Sequence, residues 1–269
     1  MSIWASGAAY EPYVGRWSRL VAREFLSWLA VPEESRWLDV GCGTGALSAT
    51  ILAFARPASV TGIDASEGYA AYAHEQVRDD RARFRQGNAQ ALPFEDGGFD
   101  AAVSGLVLNF LPEPSRGLAE MARVTRPGGV VAAYVWDYAG EMQLMRRFWD
   151  AAAGLDPAAR ELDEGRRFPI CRPEALERLF TEAGLEDVSV RAVDVPTLFR
   201  DFDDYWFPFL GGQGPAPAYA MSLTEARRGD LRERIRASLP PSGDGSIRFT
   251  ARAWATCGLR VSPSPLRGG

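Results

Sequence analysis

The chain has 269 residues and a formal net charge of −5, with hydrophobic residues at 46% and charged residues at 24%. This composition is that of an ordinary globular protein and excludes disordered and membrane-spanning classes. The basic residues are dispersed along the chain, so the sequence predicts no nucleic-acid partner. We find neither a signal-peptide pattern nor an apolar run of membrane-spanning length, which predicts a cytoplasmic location and no membrane partner.

Metal and disulfide chemistry are not expected. The three cysteines, Cys42, Cys171 and Cys257, are far apart and lack the spacing of a zinc site or a disulfide framework. The single histidine, His74, cannot form the usual metal-binding pairs. We predict that it is a solvated surface residue rather than a catalytic one, because it falls well along a predicted helix.

The first predicted elements form a strand, a glycine turn and a helix. An amphipathic helix is predicted at Tyr13 to Leu29, where apolar residues recur at helical spacing, and we expect it to pack onto or cover the core. A short strand follows at Arg36 to Val40. It ends at the glycine turn, Gly41 to Gly45, and a helix then runs through Phe54. This order is typical of a nucleotide site.

Strands and helices continue to alternate as far as Trp136. Because alternation of this kind favours a mostly parallel sheet with helices on both faces, we predict an α/β, Rossmann-like, doubly wound fold. Its ligand site should lie at the carboxyl ends of the strands, just after Val40. The strands are predicted at Val60–Ile63, Arg83–Arg85, Phe99–Ser104 and Val130–Trp136, and a turn at Arg126–Gly129. The helices are predicted at Pro114–Val124 and after Asp64, where Ser66 is the candidate N-cap of a helix that runs to about Val77.

Beyond Trp136 the alternation lapses twice, over Asp137–Arg172 and Pro196–Gly245. The second stretch contains a charged helix near Thr224–Leu239. We therefore predict one domain, residues 1–260, with its core at about 30–137 and 173–257, capped by inserted helical or irregular segments. The caps are 1–29, 138–172 and 196–245, the later core elements are a helix at Pro173–Ala183 and strands at Val188–Val195 and Ser246–Ala255, and 261–269 is a tail predicted to be disordered.

The glycine turn is accompanied by two acids. Glycines at the start of a helix let the backbone approach a ligand closely, because no side chain intervenes and positive φ angles cost little. Asp39 precedes the first glycine by two positions, and Asp64 ends the next predicted strand. The glycines and the two acids together indicate a nucleotide site more specifically than the glycines alone.

These residues carry a resemblance to a known family. Residues 38–45, LDVGCGTG, resemble the first motif of class I S-adenosylmethionine (SAM)-dependent methyltransferases, and residues 62–66, GIDAS, resemble the second. Residues 87–94, GNAQALPF, are similar to the adenine-binding stretch of the ubiquinone and menaquinone biosynthesis type. The resemblance extends to about Trp136. It implies SAM as the cofactor and a seven-stranded sheet whose last strand runs antiparallel beside Val188–Val195.

The resemblance also implies which residues hold the cofactor. Asp64 would accept hydrogen bonds from both ribose hydroxyls, which a carboxylate can do. Asn88 stands where the family usually has an acid, and its side-chain oxygen can still accept a bond from the adenine amino group. Cys42 is expected to contribute only its backbone. The candidate cofactor-binding residues are Asp39, Gly41, Cys42, Gly43, Asp64, Ala65, Asn88, Ala89 and Ser104, together with Arg16, which lies outside the stretch that the resemblance covers.

For each of three residues the sequence allows two interpretations. Asp39 either contacts the cofactor or orients the turn. Arg16, together with Tyr10 and Tyr13, either closes over the methionine part of SAM, with Arg16 on its carboxylate, or belongs to an ordinary amphipathic helix. Asp137 either acts as a general base or caps a turn. No catalytic residue is assigned.

The aromatic residues of the irregular segments also allow two interpretations. They can enclose the methyl group, or they can form the small core that a cap needs to fold. The residues concerned are Trp136, Tyr138, Phe168, Tyr205, Trp206 and Phe207.

The sequence therefore predicts methyl transfer from SAM to a small-molecule acceptor by in-line displacement. Alignment and proximity can contribute about 7–11 kcal/mol to reactions of this kind, so no catalytic histidine or cysteine is required. One alternative is an NAD(P)-dependent oxidoreductase, against which the Gly-x-Gly-x-Gly spacing argues. Another is a non-catalytic SAM-binding protein. The acceptor, the atom methylated and the oligomeric state are not predicted.

Overall fold

A computed structural model describes residues 15–211, 214–240 and 243–261. Two earlier predictions lie outside the described residues. They are the closure of Tyr10 and Tyr13 over the methionine part of SAM and nearly all of the tail at 261–269. The strands are β1 Arg36–Val40, β2 Ser59–Asp64, β3 Ala82–Gln86, β4 Phe99–Gly105, β5 Thr125–Trp136, β6 Leu185–Phe199 and β7 Ile247–Arg260. The α-helices are α1 Arg16–Leu29, α2 Ala46–Phe54, α3 Glu67–Gln76, α4 Pro114–Val124, α5 Gln143–Leu155, α6 Glu164–Arg167, α7 Pro173–Glu182, α8 Phe202–Trp206, α9 Pro215–Ser222 and α10 Glu225–Ser238.

The seven strands form one sheet in the order β3-β2-β1-β4-β5-β7-β6. The pairs β1–β2, β1–β4, β2–β3 and β4–β5 are parallel. The predicted α/β fold, with a mostly parallel sheet of seven strands, is confirmed. In the central strand β1, Asp39 lies opposite Gly62 of β2 and Val103 of β4. This register brings the carboxyl ends of three strands to the same edge of the sheet.

The predicted ends of the last two strands were wrong. β6 continues through Pro196, which was predicted to begin an irregular segment, and β7 continues to Arg260 rather than ending at Ala255. Proline cannot donate to a neighbouring strand, so it is tolerated mainly in edge strands. β6 is one of the two edge strands of this sheet, which explains why Pro196 does not interrupt it.

The predicted turn at Arg126–Gly129 lies inside β5. Thr125 pairs with Phe99 of β4, but the next paired residue of β5 is Val130, opposite Ala101. The four residues between them bulge from the ladder, and Gly128 adopts a φ of 71°. The turn residues were identified correctly, and the structure shows that they interrupt a strand locally rather than precede it.

The chain divides into two compact units. Among the described residues, one unit comprises 22–135, 173–192 and 254–261; we call it the glycine-turn unit. The other comprises 15–21, 136–172, 193–211, 214–240 and 243–253; we call it the aromatic unit. The predicted boundaries of core and caps stay predictions. No helix in the described ranges is both long and apolar enough to cross a membrane.

The aromatic unit has a core of its own. Phe148 stacks on Phe209 with ring centroids 4.5 Å apart and meets Trp149 edge-on at 5.2 Å. The Tyr205 hydroxyl donates a 2.9 Å hydrogen bond to the carbonyl of Leu144. Of the six aromatic residues predicted either to line a lid or to form a core, Trp136, Tyr138, Tyr205 and Trp206 are buried, Phe168 is half-buried and Phe207 is exposed.

Candidate cofactor site

The end of β2 holds the glycine turn in place. The N–H groups of Gly41 and Cys42 both donate to the carbonyl of Ile63, at 2.7 and 3.0 Å. The N–H of Gly45 donates to the carbonyl of Cys42 at 2.8 Å, which closes the turn before α2 begins. The sequence order strand, turn, helix therefore becomes a tight loop fixed by backbone bonds.

Three glycines of the turn adopt left-handed backbone angles, with φ of 75° at Gly41, 52° at Gly43 and 85° at Gly45. A Cβ at Gly41 would lie 2.5 Å from a methyl carbon of Val107, and a Cβ at Gly45 would lie 2.9 Å from one of Val77. At Gly43 nothing lies within 4 Å of such a Cβ. Gly41 and Gly45 are therefore required by packing, whereas Gly43 leaves open space beside the backbone.

Asp64 is oriented by two backbone donors. Its Oδ2 accepts from the N–H of Gly43 at 3.0 Å, and its Oδ1 accepts from the N–H of Ser66 at 2.9 Å. Burial raises the pKa of the Asp64 carboxyl, and the two backbone bonds oppose the rise. Each carboxylate oxygen can accept more than one hydrogen bond, so both oxygens retain capacity for a ligand. The carboxylate predicted to bind a ribose thus stands beside the open position at Gly43.

Asp39 is fully buried beneath the turn. Its Oδ2 accepts a 2.7 Å hydrogen bond from the Ser48 hydroxyl in α2, whereas its Oδ1 is buried without a hydrogen-bond partner in the part of the chain that the structure describes. Burial raises the pKa of Asp39 to about 7, and the nearby charge of Asp64 adds to the rise. Burial likewise raises the pKa of the Cys42 thiol well above its usual value, which favours the protonated form of this side chain.

The residues at the end of β4 lie beside the glycine turn. The Ser104 hydroxyl is fully buried and donates to the carbonyl of Val40 at 2.8 Å, so this side chain links β4 to β1 and any cofactor contact of Ser104 would come from its backbone. Leu106 has a φ of 63°, and its N–H donates to the carbonyl of Tyr134 at 2.8 Å. The chain then places Val107 against the turn. Sequence reasoning did not identify this contact, because leucine gives no signal for a left-handed position.

The predicted adenine-binding segment is an ordered turn. Oδ1 of Asn88, an exposed residue, accepts from the N–H of Gln90 at 2.9 Å, and Ala89 is buried. This is an Asx turn, in which the side chain replaces a backbone acceptor. The Asn88 oxygen keeps one lone pair, and its amide nitrogen stays a possible donor. The backbone of Ala65, which follows Asp64, accepts a 3.1 Å bond from the Gln86 side chain.

Arg16 lies in the aromatic unit. Its Nη1 donates to Asp204 at 3.2 Å, and its guanidinium stacks over Trp17 at 4.5 Å and Phe199 at 4.8 Å. Its Nε and Nη2 atoms are buried without hydrogen-bond partners among the described residues. These contacts fit the interpretation of α1 as an ordinary amphipathic helix, and the pairing of Arg16 with a cofactor carboxylate stays a prediction.

Two further candidates have simple structural roles. Asp137 accepts from the N–H groups of Gly140 at 3.1 Å and Glu141 at 2.9 Å, which is the capping interpretation. His74 is exposed, as predicted for a solvated residue. Neither observation assigns a catalytic residue.

Comparison with known proteins identifies the family. A model described as a methyltransferase domain matches residues 38–133. The 2-methyl-6-phytyl-1,4-hydroquinone methyltransferase of Synechocystis is 31% identical over 188 residues, which cover 68% of this chain and 57% of that protein. This chain therefore spans little more than half the length of that relative. The demethylmenaquinone methyltransferase of Roseiflexus castenholzii is 32% identical over 178 residues, covering 61% of this chain and 73% of that protein.

The fold agrees with these similarities. The YcgJ protein of Bacillus subtilis superposes on this chain with a TM-score of 0.60 at 16% identity, covering 91% of this chain and 99% of that one. At this identity the likeness concerns the fold alone. The matched residues 38–133 contain the glycine turn, Asp64, Asn88 and Ser104. The nicotinamide alternative is not favoured. The chain belongs to the class I SAM-dependent methyltransferases.

Proposed function

We propose that this protein transfers a methyl group from SAM to a small-molecule acceptor. The observation that carries the proposal is the pairing of Gly43 with Asp64: an open backbone position lies beside a carboxylate that is hydrogen-bonded to the same glycine. When bound, SAM supplies an electrophilic methyl group on a positively charged sulfur.

The residues of the turn are suited to hold this cofactor. Asp64 would accept hydrogen bonds from the ribose, and its two backbone donors already fix its orientation, so little side-chain freedom is lost on binding. Asn88 and Ala89 would hold the adenine. The pairing of Arg16 with the methionine carboxylate stays a prediction from the sequence.

The contribution of the chain to catalysis is positioning. Holding the acceptor in line with the methyl group converts an encounter into an intramolecular reaction, and the protein needs no covalent step of its own. The two relatives are named for the methylation of a hydroquinone and of demethylmenaquinone. We therefore propose phenolic and quinone-type small molecules as the acceptor class. The absence of a nucleic-acid partner and the cytoplasmic location stay predictions from the sequence.

Isothermal titration with SAM and S-adenosylhomocysteine (SAH) tests the cofactor. We expect micromolar binding by the natural protein and a loss of at least about tenfold, or about 1.4 kcal/mol, in Asp64→Ala. His74→Ala, an exposed residue of the same unit, is the matched control and should bind like the natural protein. A folded protein that binds neither ligand would overturn the proposal, and binding of a nicotinamide cofactor in their place would restore that alternative.

Methyl transfer itself requires a second measurement. Release of SAH from SAM is followed in the presence of hydroquinones, phenols and menaquinone precursors. Turnover with any of these, reduced in Asp64→Ala and unchanged in His74→Ala, is the expected result. SAM binding without turnover across the set would favour the non-catalytic SAM-binding alternative.

A further inference from the structure

The carboxyl of Asp39 is buried with an incomplete set of hydrogen bonds. The residue is 1% exposed, Ser48 is the donor to Oδ2, and Oδ1 has no hydrogen-bond partner within the described part of the chain. An ionised carboxylate in such a position loses its hydration without full compensation, which disfavours the charged form.

The neighbouring groups add no compensating positive charge. On β2 the titratable group facing Asp39 is Asp64, and on the glycine turn it is Cys42. The residues paired with Asp39 in the flanking strands are Gly62 and Val103, which are uncharged. On α2 the contacts are the hydroxyl and the backbone N–H of Ser48, which are neutral donors that partly oppose the rise in the pKa of Asp39. Asp39 therefore has a like charge nearby and, among these neighbours, no cation.

We propose that Asp39 releases a proton to solvent when the cationic cofactor binds at the glycine turn, and regains one when the neutral product replaces it. The inference rests on the proposed function. SAM carries a positive sulfonium, whereas the sulfur of SAH is an uncharged thioether. A positive charge near the turn stabilises the anionic form of Asp39, so its O–H bond breaks and the proton passes to water.

This exchange makes Asp39 a specificity-determining residue. It acts through charge beneath the turn rather than by touching the reacting atoms, so it is a positioning residue and not a catalytic one. The buried anion favours the charged cofactor over the neutral product, which assists product release. Because burial raises the pKa of Asp39 to about 7, both protonation states are populated near neutral pH, where the exchange can occur.

Titration calorimetry in two buffers of different ionisation enthalpy, phosphate and Tris, measures the proton directly. At pH 6, SAM binding should release most of one proton, and at pH 8 only a small fraction. By linkage, the SAM affinity of the natural protein relative to that of Asp39→Asn should rise about tenfold between pH 6 and pH 8, with no matching rise for SAH. The sulfonium makes the amino group of SAM more acidic than that of SAH, so the protons exchanged by the ligand itself are measured in Asp39→Asn and subtracted.

Two variants assign the proton to Asp39. In Asp39→Asn the protons exchanged on SAM binding should be those of the ligand alone, so the variant should lack the additional proton that the natural protein releases at pH 6. Ser48→Ala removes the hydroxyl hydrogen bond that favours the anion, so the rise in SAM affinity should move to higher pH. If Asp39→Asn fails to fold, Ser48→Ala still tests the assignment, because it changes the pKa of Asp39 and leaves the ligands unchanged.

The outcomes separate the inference from the proposed function. An Asp39→Asn variant that keeps the natural proton release and pH dependence, or a Ser48→Ala variant whose SAM affinity rises over the natural pH range, would overturn the inference alone. Failure of SAM to bind at any pH would overturn the proposed function and the inference together.

Discussion

Val107 lies directly against Gly41. A Cβ on this glycine would lie 2.5 Å from one methyl carbon of Val107 and 2.6 Å from the other. The contact joins the end of β4 to the glycine turn, and the φ of 75° at Gly41 adds a second constraint on its side chain. The first glycine of the turn is thus fixed by packing as well as by its approach to a ligand.

We expect Gly41→Ala to destabilise the fold. The positive φ costs an alanine about 1–2 kcal/mol. Displacing the Val107 methyls adds overpacking strain, typically about 1–3 kcal/mol. Urea denaturation measures the loss, which should exceed that of Gly184→Ala, a position with a φ of 76° and nothing within 4 Å. Equal losses of unfolding free energy in both variants would mean that the contact of Gly41 with Val107 does not restrict the side chain at this position.

Gly43→Ala should separate ligand binding from folding. Its φ of 52° adds conformational strain, but its Cβ would meet no other atom within 4 Å. Its effect on the free energy of unfolding should therefore resemble that of Gly184→Ala. Titration with SAM should nevertheless show a large loss of affinity in Gly43→Ala alone, because the new methyl group occupies the open space beside Asp64. Natural affinity in this variant would contradict the assignment of that space to the cofactor.

The aromatic unit should lose stability when its stacked rings are removed. Phe209 is fully buried against Phe148, and truncating a buried phenylalanine costs about 3–5 kcal/mol. Phe207 is 64% exposed, so Phe207→Ala should change stability by less than about 0.5 kcal/mol. Thermal and urea unfolding measure both variants. If Phe209→Ala were as stable as Phe207→Ala, the cluster would not be the core of the unit.

Stability should fall as pH rises toward and through 7. Burial raises the pKa of Glu164 from 4.5 to about 7, while the indole N–H of Trp149 donates to its carboxylate. The folded state therefore favours the protonated form. Its contribution is fully present below about pH 4.5 and is lost as pH rises through 7, amounting to about 3 kcal/mol.

Urea denaturation between pH 5 and pH 8 tests this dependence. Glu164→Gln keeps an acceptor for Trp149 but cannot ionise, so its stability should vary less with pH. The remaining slope should fall again on adding Asp39→Asn, because the pKa of Asp39 is raised in the same direction. A natural protein whose stability increases across this range would contradict the expectation for both acids.

Arg123 should stabilise the segment that follows Asn88. Its guanidinium donates to the carbonyls of Leu92 at 2.9 Å and Phe94 at 2.8 Å. Arg123→Met removes these bonds and should cost about 1–3 kcal/mol. Hydrogen exchange over residues 87–96 should become faster. Arg116 of the same helix forms an exposed pair with Glu113, so Arg116→Met is the control and should leave the exchange unchanged.

Short-range signals in the sequence identified much of the fold. β1 and α4 occur at the predicted residues, and the Ser66 hydroxyl accepts from the N–H of Tyr69 at 3.3 Å, as expected for the cap of α3. The glycine turn and Asp64 also lie where the spacing placed them. These features depend on hydrophobic periodicity, capping and glycine conformation, which act over a few neighbouring residues and can be read from the chain directly.

The sequence by itself determined the order of the elements, the family and the position of the glycine turn. Tertiary structure decided what each site residue contacts: Ser104 bonds to Val40, Arg16 pairs with Asp204, and Asp39 keeps an oxygen without a partner. Arg16 and Asp204 are separated by 188 positions. No local pattern encodes such a contact, because it depends on how elements distant in the sequence pack together and exclude water.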